Sequence, residues 1–362
     1  MRRMLALLLC CLSLPVMALS VTFINPGKHD EVYWLTATRA MEAAASDLGI
    51  RLQVLYAERE HPRALALARQ IIALPAAQRP DYVVFSNDYG TAPELLRLFE
   101  AAGIHSFMAF SGRDDQPNQP AIGLPRMHFR HWLGSLEPRA EDAGYLTARA
   151  LIERGRRAGL PRVNGKLPLL AIGGDRSTPS SLLRSEGMRR AVTEAGDVVL
   201  LQEVYAGWNQ QRAQEQGGWL FRRYPQARLL WAGNDLMAFG AMDAWRQRSG
   251  QPGRDAFFSG INTSAQAMAA LRDDSLSVLA GGHFIAGAWS LVMLYDYHHG
   301  RDFADEGLEL VRPMFTLFND RSAAQFMQRY GKLDFSRVDF RRYSKQHNTG
   351  LRRYNFDFRQ LL

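Results

Sequence analysis

Cysteine is nearly absent from this 362-residue chain: Cys10 and Cys11 are the only two, and both fall within the first eleven residues. A chain that loses those residues can build no disulfide, no thiolate metal site and no cysteine nucleophile. Long apolar runs are also scarce. Met4 to Leu19 covers 16 residues, short of the ~20 that a membrane-spanning helix needs. The apolar stretch Ala286 to Tyr295 is closed by Asp296 and His298-His299. The basic start Met1-Arg2-Arg3, the apolar stretch Met4 to Leu14 and the Val16-Met17-Ala18 pattern read instead as a secretory signal peptide cut after Ala18. The alternative, a lipidated Cys10 or Cys11, lacks small residues in the preceding Leu7-Leu8-Leu9. The remaining 344 residues are expected to be exported, and they are long enough to bury cores without bridges.

Signatures of catalysis are missing as well. The sequence contains no Gly-x-Gly-x-x-Gly, no Gly-x-x-x-x-Gly-Lys-Ser/Thr and no Gly-x-Ser-x-Gly. His128-Phe129-Arg130-His131 offers two histidines without a third ligand, which is too few for a metal site. Glu137 and Glu141 read as solvated charges on one helix face rather than as a catalytic pair. No enzyme activity, cofactor or metal is expected. The excess of Lys and Arg (44) over Asp and Glu (36) raises the question of nucleic acid, but an exported chain with no helix-turn-helix ahead of its first unit argues against it.

What is present is a strand-then-helix rhythm. Val21 to Ile24 reads as a strand; Val32, Leu35, Ala40, Met41, Ala44 and Leu48 recur at helical spacing, and Gly49 stands where a cap belongs. The alternation continues through strands at 52–56, 82–85 and 104–110, lapses over Ser111 to Ser135 as a long connection, and restarts with a helix from Glu137 to Arg157. Strands at 167–172, 198–204, 229–232, 256–261 and 276–280 follow, each leading into a helix. This pattern predicts an α/β protein of two doubly wound parallel-sheet lobes facing each other across a cleft. Ligands of such sheets sit beyond the carboxyl ends of the strands. The residues just after each strand include Asn25 to Trp34, Asn87-Asp88-Tyr89, Ser111-Gly112-Arg113, Tyr205 to Trp208, Gly233-Asn234, Asn262 and Gly281-Gly282-His283. They are polar and aromatic and short of paired carboxylates, which suits holding a small polar molecule.

Three stretches carry a family resemblance. They are Leu230-Trp231-Ala232-Gly233-Asn234-Asp235-Leu236-Met237-Ala238-Phe239-Gly240-Ala241, Leu183 to Met188, and Phe258-Ser259-Gly260-Ile261-Asn262. With the leader and the two lobes, they resemble the type I periplasmic solute-binding proteins of the ribose/galactose kind, of which the autoinducer-2 receptor is a cousin. The resemblance covers about Val21 to Pro313. It implies lobes joined by a hinge and crossed three times by the chain. The first lobe would be 19–134 plus 283–307, the second 135–282 plus 308–322, and 323–362 a C-terminal extension after the leader at 1–18. It also implies a cleft lined by Tyr33, Trp34, Asn87, Asp88, Arg113, Arg184, Trp208, Asn234, Asn262 and His283. Aromatic faces there would pack on the C–H face of a sugar, and the guanidinium of Arg184 would meet vicinal hydroxyls or an oxyanion. The implied role is that of a monomeric periplasmic receptor for a sugar, polyol or sugar-derived signal. Its partner would be an inner-membrane ABC permease or, in the alternative, a membrane sensor protein.

Two departures stand out. The sugar binders of this kind place an acid where Asn262 stands and an Asp-Arg pair near Ser111-Gly112. Beyond the resemblance, Gly331 to Leu362 holds eight basic and three acidic residues, net +5, interleaved with six aromatics. That is nearly all of the +6 left after the leader. The segment is either a tail packed on a lobe or a docking element for an acidic membrane partner.

Overall fold

The computed structural model describes residues 18–113 and 122–362. The leader expected over residues 1–18 therefore lies almost wholly outside the described residues, as does the middle of the connection after Arg113. Among the described residues no helix is long and apolar enough to cross a membrane.

Two six-stranded sheets form the two lobes. The first uses β1 (Ser20–Asn25), β2 (Arg51–Tyr56), β3 (Tyr82–Phe85), β4 (His105–Ala109), β5 (Trp132–Pro138) and β11 (Glu309–Arg312), in the order β11-β5-β4-β3-β1-β2, all parallel. The second uses β6 (Leu167–Gly173), β7 (Val198–Tyr205), β8 (Leu229–Ala232), β9 (Phe257–Ile261), β10 (Val278–Gly281) and the two-residue β12 (Thr316–Leu317), in the order β12-β10-β9-β8-β6-β7. β12 departs from the parallel expectation and runs antiparallel to β10. Helices α1 (Val32–Leu48), α2 (His61–Ala73), α3 (Ala92–Ala102) and α9 (Ala286–His298) cover the first sheet. Helices α4 (Ala140–Arg157), α5 (Pro179–Ala195), α6 (Gln210–Arg223), α7 (Asp235–Arg246) and α8 (Ala265–Arg272) cover the second. Central strands are buried along their whole length because both faces are covered: β3, β8 and β9 are buried at every position.

Several expectations need correction. The strand β5 occupies the end of what reads as a loop, so the first sheet runs to Pro138 rather than to 134. Glu137 is consequently no solvated helix charge. It sits inside β5, accepts from the Gly112 N–H (2.9 Å) and the Ser135 hydroxyl (3.2 Å), and burial pushes its carboxyl up to about 7. The segment 308–322 does not belong to one lobe: β11 pairs with β5 in the first sheet, and β12 returns to the second. In α1 the buried stripe is Trp34, Ala37, Met41, Ala44 and Leu48; Val32 is exposed and Leu35 half-buried, because the first turn opens onto the cleft.

The C-terminal extension is packed rather than free. Helix α10 (Asp320–Tyr330) lies against α8, and the chain then crosses the outer face of α9. Phe335, Phe340, Tyr343, Tyr354, Phe356 and Phe358 are all buried, while the arginines between them face solvent. That cover explains why α9 is apolar on every side. One charged group on α9 is buried with it: Asp296 accepts from the Ser344 hydroxyl, the Lys345 and Gln346 N–H groups (2.7 and 3.1 Å) and the Tyr354 hydroxyl (2.9 Å).

Candidate ligand cleft

The first lobe builds its wall from the loops after β1, β2 and β3. After β1, Asn25 closes a turn by accepting from the Gly27 N–H (2.9 Å), and α1 starts at the cleft edge. Its first turn carries Tyr33 and Trp34. The Trp34 indole is wedged between Tyr33 (4.9 Å between ring centres) and Phe110 (5.1 Å), both edge to face. After β2 the chain enters the left-handed region at Glu58 and Arg59 (φ 54° and 61°). The Arg59 N–H donates to the Pro26 carbonyl (2.9 Å), so the second loop is tied to the first. Its guanidinium then forks onto the Glu31 carboxylate and donates to the Tyr89 hydroxyl (2.7 Å). Asp88 is buried beside this pair. It accepts from the Ser86 hydroxyl (3.1 Å), and burial raises its carboxyl to about 6 despite the cation of Arg59.

The second lobe contributes Arg184, Trp208, Asn234 and Asn262. Arg184 projects from α5, fully buried, and donates to the Gly233 carbonyl (2.7 Å) and to His283 Nε2 (2.9 Å). Its Nε has no partner among the described residues. Burial without a bonded carboxylate lowers its pKa to about 10, so the cation persists at neutral pH. The same guanidinium lies over the rings of Trp208 (5.4 Å) and Phe315 (5.6 Å). Because a guanidinium can only donate, His283 must accept at Nε2 and carry its proton on Nδ1. That Nδ1 is buried and has no partner among the described residues, and the ring, kept neutral by burial and by Arg184, stacks between Tyr33 (4.7 Å) and Phe315 (4.5 Å).

Two amides are oriented by fixed neighbours. Asn234 caps α7, its Oδ1 accepting from the Met237 N–H (2.8 Å), which leaves its NH2 to the cleft. Asn262 faces the other way: its Nδ2 donates to the Asp235 carboxylate (2.8 Å), leaving Oδ1 as an acceptor. Asn262 holds φ at 138°, a strained conformation for a residue with a Cβ. Trp208 (φ 63°) swings its indole over Gly174, where a Cβ would come within 2.3 Å of the ring.

These side chains close around a narrow cleft that leaves about 50 Å³ open to water. Eight of the ten residues expected at the site line it: Tyr33, Trp34, Asp88, Arg184, Trp208, Asn234, Asn262 and His283. Two do not. Asn87 spends its amide on the Gly112 carbonyl (2.8 Å) and the Ala92 N–H (2.9 Å), fixing the loop behind Asp88. Arg113 pairs with Glu309 on the edge strand β11 (3.0 Å). The cleft also takes Arg59, Phe110, Ser180 and Phe315. Arg59 follows a strand end and obeys the same rule as the others, whereas Phe315 arrives on a crossing between lobes that no periodicity marks. Among the described residues no group of three or more His, Cys, Asp or Glu is placed to hold a metal.

The model of the periplasmic binding protein domain matches residues 21–302. The chain belongs to the periplasmic binding protein family. No curated protein matches it. Among solved structures it is similar to a periplasmic sugar-binding protein from Pseudomonas fluorescens, at 38% identity over 94% of this chain and 99% of that one (TM-score 0.84). More distant relatives share the fold. The periplasmic component of the arabinose ABC transporter from Shewanella sp. ANA-3, solved with arabinofuranose, is 16% identical over 87% of this chain and 98% of its own (TM-score 0.71). A solute-binding protein from Actinobacillus succinogenes with bound D-allose is 16% identical over 85% and 99% (TM-score 0.70). Members of this periplasmic binding protein family capture solutes and perform no chemistry on them.

Proposed function

We propose that this periplasmic binding protein captures a small sugar or polyol between its lobes and delivers it to an inner-membrane ABC permease. The observation that carries the reading is the pair of indoles, Trp34 from one lobe and Trp208 from the other, lining one cleft with Asp88, Asn234, Asn262 and Arg184. Rings of this kind suit the C–H faces of a sugar, and the polar groups suit its hydroxyls. The 38% identical relative is a sugar-binding protein, which supports the class of ligand. In this reading Asp88 and Asn262 Oδ1 accept from hydroxyls, while Asn234, Arg184 and the His283 Nδ1–H donate to ring or hydroxyl oxygens. The protein acts as a monomer after export and removal of the leader near Ala18.

The test is thermal unfolding of the purified, ligand-stripped protein against a panel of pentoses, hexoses, their furanose-rich isomers and inositols. A true ligand at 100 times its Kd stabilises by ~2.7 kcal/mol, several degrees for a chain of this size at ~2–4 °C per kcal/mol. The reading fails if no member of the panel shifts the transition, or if the shift survives in Trp208→Ala.

A further inference from the structure

The C-terminal extension does more than cover a helix, because its last turn rests on the hinge. The chain passes between the lobes after β5, after β10 and between β11 and β12. At the second crossing Gly282 adopts φ 116°, a conformation open to glycine but not to ordinary side chains. A Cβ there would lie 2.4 Å from the ring of Phe358 and 2.7 Å from the Met314 carbonyl, which belongs to the third crossing. The Phe358 ring therefore sits on the second crossing, where the third passes beside it. It is buried between Phe284 (5.6 Å), which leads from the second crossing into α9 of the first lobe, and Phe318 (6.4 Å) and Phe326 (6.2 Å), at the end of β12 and on α10 on the second-lobe side.

Two and four residues earlier the same segment is fixed to the first lobe. Phe356 stacks on Trp289 of α9 (5.0 Å, 13° between planes), and the Tyr354 hydroxyl donates to Asp296 (2.9 Å). Residues 354–358 thus link α9 of one lobe to the α10 cluster of the other, with Gly282 beneath them. Rotation of one lobe away from the other must pull Phe358 from Phe318 and Phe326, or pull it from Phe284 and Phe356 from Trp289. Both are buried aromatic contacts, and packed contacts of this kind are bistable rather than elastic.

We propose that the C-terminal segment is a hinge brace: Phe358, seated on Gly282 and tied through Phe356 and Tyr354 to the first lobe, restrains how far the lobes open. This goes beyond ligand capture and does not depend on which solute is bound.

The test reads the lobe separation directly. With Cys10 and Cys11 replaced by serine the chain has no cysteine, so spin labels can be placed at Arg69→Cys on α2 and Glu215→Cys on α6, both exposed. Pulsed dipolar spectroscopy on the ligand-free protein should give one narrow distance distribution. In Phe358→Ala the distribution should shift to longer distances and broaden. Tyr354→Phe, which removes only the hydroxyl on Asp296, should give a smaller shift in the same direction, and it keeps the test alive if Phe358→Ala folds poorly. A role limited to stability would lower the melting temperature of both variants and leave the distances where they are. Coincident distributions in parent and Tyr354→Phe, or in parent and folded Phe358→Ala, would overturn the proposal.

Discussion

Asp88→Asn should make the ligand-free protein more stable while damaging its capacity to bind. Burial lifts the Asp88 carboxyl from its ordinary 3.8 to about 6, with Arg59 offsetting only part of the effect. About two pKa units at ~1.4 kcal/mol each put the cost of keeping this charge folded at roughly 3 kcal/mol. Asparagine retains an oxygen for the Ser86 hydroxyl, so the local hydrogen bond survives the change. The folded pKa lies above the unfolded one, so protonation favours the fold. The deficit in the parent is full above about pH 6, shrinks as pH falls from 6 towards 4, and is gone below that. Urea unfolding of both proteins without ligand should therefore show Asp88→Asn ahead by ~3 kcal/mol at pH 7.5, by about half that at pH 5, and by almost nothing below pH 4. A variant less stable than the parent at pH 7.5, or an advantage that ignores pH, would refute the assignment of Asp88 as a buried charge held for the ligand.

Further outcomes follow from the same contacts. Asp296→Ala strands three donors beneath the C-terminal segment, the Gln346 N–H keeping the Ser344 hydroxyl; at ~1–3 kcal/mol per orphaned buried donor, partly shared, the melting temperature should fall on the order of 10 °C, and calorimetry showing no drop would contradict the packing described. Gly174→Val drives a side chain into the Trp208 indole, so sugar binding should be lost and the tryptophan emission should shift without loss of the far-ultraviolet circular dichroism. Mass spectrometry of the periplasmic protein should find Leu19 at the amino terminus; a retained Met1 or a lipidated cysteine would contradict the export reading.

Much of the fold was legible because parallel strands covered on both faces are short apolar runs, and runs such as Tyr82 to Phe85 or Leu229 to Ala232 stand out between amphipathic helices. β5 escaped because its run Trp132-Leu133-Gly134-Ser135-Leu136 is broken by small and polar residues, Gly134 lying under the Leu308 carbonyl where strand β11 comes in to pair with β5 (Ser135 opposite Glu309). The edge strands β11 and β12 were invisible for a related reason: four and two residues long, they are defined by their partners and by little of their own pattern. In the cleft, the strand-end rule located most of the wall. It could not separate Asp88, which faces the cavity, from Asn87, whose amide is consumed by Gly112 and Ala92. Nor could it show that Arg113 turns outward to Glu309. Neighbours in sequence at a tight turn point in opposite directions, and only the hydrogen bonds decide which one meets the ligand.

The central claim is that one solute sits between the lobes against Arg184, and equilibrium dialysis with the sugar that shifts the melting transition most tests it directly. The parent should bind one molecule per chain. Arg184→Met should bind none, while its ligand-free melting temperature stays level or rises, because a buried cation held below its ordinary pKa weakens the folded state. Undiminished binding by a folded Arg184→Met would contradict the account and place the sugar elsewhere.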